Sequence, residues 1–183
     1  ENRFVLPDKA HQQGKTREIV DRAIALIDEE DTRPLFLFVH TFDAHADYRS
    51  LKRHRALFEG PYDGNAAGFT GQLLAHREGE FPLEQSDLEH LRDLYDAGIH
   101  QLDTELGPLF ESLRASGRME SSLIIVTADH GEEFLEHGDV LHGRNHFEPV
   151  VRVPLLIYAN ALAHGRRVAE PVSLVDILPT ALS

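Results

Sequence analysis

Asp129 and His130 are adjacent and are followed by Gly131. One hard carboxylate oxygen beside one imidazole nitrogen is a plausible pair of metal ligands. Neighbouring residues on an extended strand point to opposite faces, so both reach one ion only if the chain turns there. Gly131 permits that turn. An isolated Asp-His-Gly is also what an ordinary surface turn looks like, and for the triplet alone that reading is the stronger one. Its surroundings shift the balance. His130, His137, His142 and His146 fall within seventeen residues, with Glu132, Glu133, Glu136 and Asp139 between them. No pair of these histidines has the HExxH spacing of a zinc helix with a Glu directly after the first. His142-Gly143-Arg144 adds two potential cations, and a metal with a histidine and an arginine can hold a tetrahedral oxyanion. A second cluster, His40 with Asp43 and His45, lies upstream. Taken alone, His45 reads as a structural or solvated histidine. Taken with the first cluster, it reads equally well as a substrate contact.

These clusters need elements to position them. Residues 35–39 and 123–127 are short, continuous, β-favouring apolar runs, and each leads directly into one of the clusters. Such runs suit strands covered on both faces. In open α/β sheets, ligands bind beyond the carboxyl ends of the strands. Residues 153–158 give a third strand, with Pro154 acceptable near its start or on an edge. The spacing predicts a helix over 17–30, with Val20, Ile24 and Ile27 on one face. Residues 1–16 read as a loop, and residues 41–86 are turn-rich. The strongest helical pattern starts at Asp87, with Ser86 or Asp87 as its N-cap. It carries Leu88, Leu91, Tyr95, Ile99, Leu102 and Leu106 at spacings of three and four. Gly107-Pro108 is expected to kink or restart it before the stop at Gly117. A last helix is expected over 174–182, capped by Ser173 with Asp176 three residues later.

Composition bounds the function. The 183 residues carry 31 acidic and 18 basic side chains, a formal net charge of −13, and 42% of them are hydrophobic. That suits a globular protein with its own core. The acid excess argues against nucleic-acid and anionic-membrane binding, which need a basic face. With no cysteine, disulfides and thiolate zinc sites are excluded. No apolar run approaches the roughly 20 residues of a membrane span.

Five ordered segments resemble the sulfatase family of the alkaline phosphatase superfamily. Pro34 to His40 with Phe42-Asp43-Ala44-His45-Ala46-Asp47-Tyr48 is similar to the family's strand followed by D-P-H-x-P-Y. Tyr95-Asp96-Ala97-Gly98-Ile99 with Leu102-Asp103 and Leu106-Gly107 is similar to Y-D-x-x-I-x-x-L-D-x-x-L-G. Ile124 to Gly131, continuing through Glu132, Glu133 and Glu136-His137-Gly138, is similar to T-x-D-H-G-E-x-x-x-E-H-G. His142-Gly143-Arg144 through Phe147-Glu148 to Arg152-Val153-Pro154-Leu155 is similar to the substrate-side loop and R-V-P-L strand. Val172 to Thr180 is similar to V-S-L-V-D-L-L-P-T. The implied fold is an alkaline-phosphatase-like layered α/β/α arrangement with a mostly parallel sheet, incomplete in this chain. Residues 1–183 are then a single partial domain. Ala44 and Asp47 stand where the family has prolines. The family's nucleophile motif, C/S-x-P-x-R, and its upstream acidic ligands have no counterpart here, so the chain is expected to be the later portion of a catalytic domain.

The resemblance also implies roles. Asp129 and His130 become metal ligands. His45 and His142 become catalytic groups that contact the sulfate or phosphate, with Arg144 a weaker candidate for substrate binding. Asp43 and Asp103 are structural, and Arg152 becomes a buried ion-pair partner of Glu148. Glu132, Glu133, His137 and His146 are given no direct role. The resemblance favours Ca2+, whereas the His130 nitrogen suits Mn2+ or Zn2+ better. The implied activity is metal-dependent hydrolysis of a sulfate ester on a small molecule or glycan. Within the superfamily the alternatives are a phosphodiester or phosphonate hydrolase and a phosphoethanolamine-type transferase. From another class comes a non-catalytic sulfatase-like domain. Two ligands alone predict weak metal binding and no turnover by this segment in isolation. The enzymatic reading requires Asp129, His130, His45 and His142 on one rim, within roughly 10 Å of a common point.

Overall fold

The structure is a computed structural model that describes residues 15–29, 33–162 and 165–183. The loop expected over 1–16 therefore lies outside the described residues except for its last two positions, as does Glu30, the expected end of the first helix.

Helix α1 spans Thr16–Ile27. Its Ile19, Val20, Ala23 and Ile27 are buried, following the three-to-four spacing of an amphipathic helix. Lys15, at its N-cap, makes no side-chain cap hydrogen bond. Asp43 supplies the acceptor from a distant loop, taking hydrogen bonds from the Thr16 backbone N–H at 3.2 Å and from the Thr16 hydroxyl. A carboxylate there satisfies an orphan donor and complements the helix dipole. Asp43 also accepts from Gln101 Nε2 at 3.0 Å, so the structural role expected of it holds.

Two short helices, α2 (Lys52–Arg55) and α3 (Thr70–Arg77), lie in the turn-rich region. The long helix α4 runs over Gln85–Ala115. Its N-cap is Glu84 rather than Ser86 or Asp87. Asp87 instead sits at the third helical position and its carboxylate accepts the Glu84 backbone N–H at 2.8 Å. The helix does not restart at Gly107-Pro108, and α4 continues through Pro108. Burial explains this: α4 anchors two cores, through Leu91 and Leu94 in its first half and Leu109 in its second. Several buried leucines, each contributing about 1.5–3 kcal/mol, offset the roughly 3 kcal/mol that an interior proline costs.

The first core joins Tyr48, Leu73, Leu91, Leu94, Phe134, Val140 and Leu141. The second joins Val20, Ala23, Ile27 and Leu109, with Leu37 and Val39 packed against it. Residues 34–40 join no helix and no ladder among the described residues. Leu37 and Val39 face the core while Phe36 and Phe38 are exposed, so the strand expected to be covered on both faces is a segment covered on one side.

Strand β1 (Leu123–Thr127) follows α4 through a 3-10 turn, Arg118–Ser121. Next come β2 (Glu133–Phe134), β3 (Val140–Leu141), a short helix α5 (Glu148–Val151) and β4 (Leu155–Ala159). β1 pairs antiparallel with β4, Leu123 opposite Ala159 and Thr127 opposite Leu155. β2 and β3 form an antiparallel hairpin. The α/β class holds, but no parallel pair occurs among the described strands. A 3-10 turn, Leu174–Asp176, leads into α6, Ile177–Leu182. The expected side-chain cap from Ser173 is not made. Arg152 and Glu148 do pair, at 2.6 Å, but on the surface with both side chains more than two-thirds exposed, not in the interior.

Candidate active site

Asp129 and His130 occupy the corner where the chain leaves β1. The His130 backbone N–H donates to Asp129 Oδ1 at 3.1 Å, and His130 Nε2 lies 3.8 Å from the same oxygen. Gly131 makes the corner possible, though not through an unusual φ. A Cβ on Gly131 would meet the Pro149 carbonyl oxygen at 2.1 Å, and the Gly131 N–H donates to Val150 at 2.7 Å. Glycine is required there because the α5 backbone approaches too closely for any side chain.

His45 lies in a turn closed by its own N–H donating to the Phe42 carbonyl at 3.2 Å. This turn packs on α4 at Gly98, where a Cβ would stand 3.2 Å from the Asp43 carbonyl oxygen. His142 follows β3 directly. Leu141 adopts a left-handed φ of 64° while its side chain stays buried, a conformation that costs a non-glycine residue energy and persists only when the surroundings enforce it. Arg77 of α3 does part of that work. Its buried guanidinium pairs with Asp139 at 2.7 Å and donates to the carbonyls of Val140 and, at 3.1 Å, His142.

The three imidazoles meet. The His130 and His142 rings stack with centroids 3.8 Å apart, and the His45 ring stands edge-on to His142 at 5.0 Å and to His130 at 6.2 Å. One ring nitrogen from each lies within 4.8 Å of the others. The Nδ1 atoms of His45, His130 and His142 lie at hydrogen-bond distance from Ala46 O, Gly131 O and Glu132 Oε1, respectively. A backbone carbonyl and an ionised carboxylate can only receive, so these contacts place the proton of a neutral ring on Nδ1. The rim expected from the sequence is therefore present for these three residues, with Asp129 beside His130.

Arg144 is placed differently. Its half-exposed guanidinium donates to Glu78 at 3.2 Å, just beyond α3. Glu132 and Glu133, assigned no direct role from the sequence, are buried supports of the site. Glu133 accepts from the His137 backbone N–H at 2.7 Å and from Asn145 Nδ2 at 2.6 Å, bracing the loop on both sides of His142. Arg77 and Tyr48 also hold the site, and sequence reasoning missed both. The buried Tyr48 hydroxyl donates to Glu132 at 3.0 Å. Tyr48 had a signal, since it lies three residues from His45. Arg77 had none, because its partners are more than sixty residues away.

A cation would find a carboxylate oxygen and an imidazole nitrogen 3.8 Å apart at the end of β1. That donor set and spacing suit two ligands of one divalent ion.

Arylsulfatase K of Danio rerio is 35% identical over 120 residues, covering 66% of this chain and 22% of that protein. Steryl-sulfatase of Mus musculus is 28% identical over 198 residues, covering 98% and 27%. The chain thus spans about a quarter of the length of these relatives. Among solved structures, BT4656 in complex with its substrate D-glucosamine-2-N,6-O-disulfate superposes with a TM-score of 0.60 at 17% identity, covering 79% of this chain and 43% of that one. The phosphonate monoester hydrolase of Agrobacterium radiobacter gives 0.61 at 24% identity, covering 84% and 34%. These likenesses establish an alkaline-phosphatase-like fold. The family model described as Sulfatase matches residues 1–183, and with Asp129-His130-Gly131 meeting His45 and His142 on one rim, the chain belongs to the sulfatase family.

Proposed function

We propose that this chain forms the metal-edge portion of the catalytic domain of a hydrolase that cleaves sulfate esters. The observation that carries the reading is the convergence of His45, His130 and His142, from distant parts of the chain, beside Asp129. Asp129 and His130 would hold a divalent metal, as is general for the family. The bound ion would neutralise charge on the attacking and transferred oxygens. Ca2+ is the ion the family resemblance favours, and the His130 nitrogen also accommodates Mn2+ or Zn2+. His45 and His142 would bind the ester head through Nε2, since their Nδ1 atoms are taken, and a protonated ring there can donate to the leaving oxygen. Arg144 would act from the rim as a longer-range cation, because Glu78 already holds it. The exposed apolar faces of β1 and β4 and of residues 34–40 are surfaces that the remainder of a family domain would cover.

The substrate class proposed is a small-molecule or glycan sulfate ester, in keeping with the disulfated glucosamine named as the substrate of BT4656. The likeness to a phosphonate monoester hydrolase favours one second reading, hydrolysis of a phosphonate or phosphodiester at the same rim. The test compares an aryl sulfate, an aryl phosphate diester and an aryl phosphonate monoester as substrates for the metal-loaded protein expressed from its complete reading frame. The proposal expects the highest kcat/KM for the sulfate. A higher value for either phosphorus ester selects the second reading, and turnover of none of them refutes both. The 183-residue chain by itself is expected to turn over none.

A further inference from the structure

Glu132 is where three segments of the site are tied together. Its side chain is only 4% exposed. It lies two residues beyond His130, its Oε1 is 2.9 Å from Nδ1 of His142, and its Oε2 accepts the Tyr48 hydroxyl at 3.0 Å. Tyr48 is itself locked, buried against Tyr95 and Phe134 three residues after His45. Burial, then the neighbouring Glu132 charge, hold the Tyr48 phenol far above its ordinary pKa, so the hydroxyl remains a donor. An ionised carboxylate accepts and cannot donate. Hence the Oε1 contact makes Nδ1 the protonated nitrogen of neutral His142 and turns Nε2 away from Glu132. The backbone of the same residue is pinned by Arg77 at its carbonyl.

We propose that Glu132 is a positioning residue, which fixes the tautomer and ring orientation of His142 and, through Tyr48, keeps the His45 turn in register with it. A carboxylate buried only for packing would be replaceable by an apolar side chain. This one bridges two donors on separate segments, so its loss would release both. Presentation of His142 Nε2 to an ester rests on the function proposed above; the tautomer assignment does not.

The test separates the two. Long-range 1H–15N spectra of the 15N-histidine-labelled chain, recorded above the histidine titration range, read the tautomer of His142 directly. The wild type is expected to show the Nδ1–H pattern and Glu132→Ala the Nε2–H pattern, with Glu132→Gln, whose amide oxygen can still accept, restoring Nδ1–H. An Nε2–H pattern in the wild type overturns the proposal, and that spectrum decides the matter even where Glu132→Ala does not fold. In the complete enzyme, Glu132→Ala is expected to lower kcat about ten- to hundredfold, the usual effect of losing an outer support of an active-site histidine, with KM changing less and Glu132→Gln recovering most of the rate. Equal losses in the Ala and Gln variants overturn the positioning role. If the complete protein hydrolyses no ester, the proposed function fails while the spectra still judge Glu132.

Discussion

A Cβ on Gly131 would lie 2.1 Å from the carbonyl oxygen of Pro149. The corner carrying Asp129 and His130 is thus set by how closely α5 approaches the end of β1. Gly131→Ala must push the two backbones apart and strain the 2.7 Å hydrogen bond from Gly131 to Val150. Overpacking of this kind costs about 1–3 kcal/mol, which for a chain of this length lowers the thermal midpoint by on the order of 5 °C. Calorimetry on the variant is expected to show that fall, together with weaker metal binding.

If Asp129 and His130 share an ion, the metal stabilises the fold by binding it and not the unfolded chain. At a free concentration about 100 times the dissociation constant this amounts to about 2.7 kcal/mol. Titrating Ca2+, Mn2+ and Zn2+ against the complete protein in a thermal-shift assay is expected to raise the midpoint, and a chelator to reverse it. Asp129→Asn and His130→Ala should each remove most of the gain. An undiminished shift in both variants would place the ion elsewhere.

His45 and His142 differ from Arg144 in their attachment. The two imidazoles are 5.0 Å apart, whereas Arg144 is half exposed and paired with Glu78. On the proposed hydrolase reading, His45→Ala and His142→Ala are each expected to lower kcat of the complete protein by about 10²–10⁴, the range for a positioned acid–base group. Exposed ion pairs contribute roughly 0–1 kcal/mol, so Arg144→Ala should change kcat/KM by less than about tenfold, mostly through KM. Steady-state kinetics on the three variants checks the ordering.

Glu105 gives a pH dependence away from the site. It is buried on α4, and its Oε2 has no hydrogen-bond partner among the described residues. Burial first, then the Asp43 charge, raise its pKa above the ordinary carboxylate value. The folded state therefore holds this proton more tightly than the unfolded chain does. Stability from this group is fully present at low pH and is lost as pH rises from the ordinary carboxylate pKa of about 4.3 through the higher folded value. Glu105→Gln removes the ionisation but keeps an acceptor. It should raise the thermal midpoint at pH 7, with the gain vanishing below about pH 4. Midpoints of both proteins measured across that range test this.

Much of the scaffold is legible in the residues because it is local. The three-to-four spacing of Val20, Ile24 and Ile27 and of Leu88, Leu91 and Tyr95 dictates two amphipathic helices, and both form. The β-branched run at 123–127 dictates a strand, and it forms. The candidate site is local too, in that Asp129-His130, His45 and His142 are recognisable by type and by the runs that lead into them. What the sequence could not contain is anything set by packing between distant segments. Gly107-Pro108 predicts a kink or a restart, and burial on two cores carries α4 through Pro108 without a restart. The run at 35–39 predicts a strand, but a strand needs a hydrogen-bonded neighbour, which no local pattern supplies. Gly131 is a flexible turn in the sequence and a steric necessity in the fold. Arg77, Tyr48 and Glu132 become supports of His142 only once three remote stretches of chain are brought together, because hydrogen bonds depend on distance in space and not along the chain.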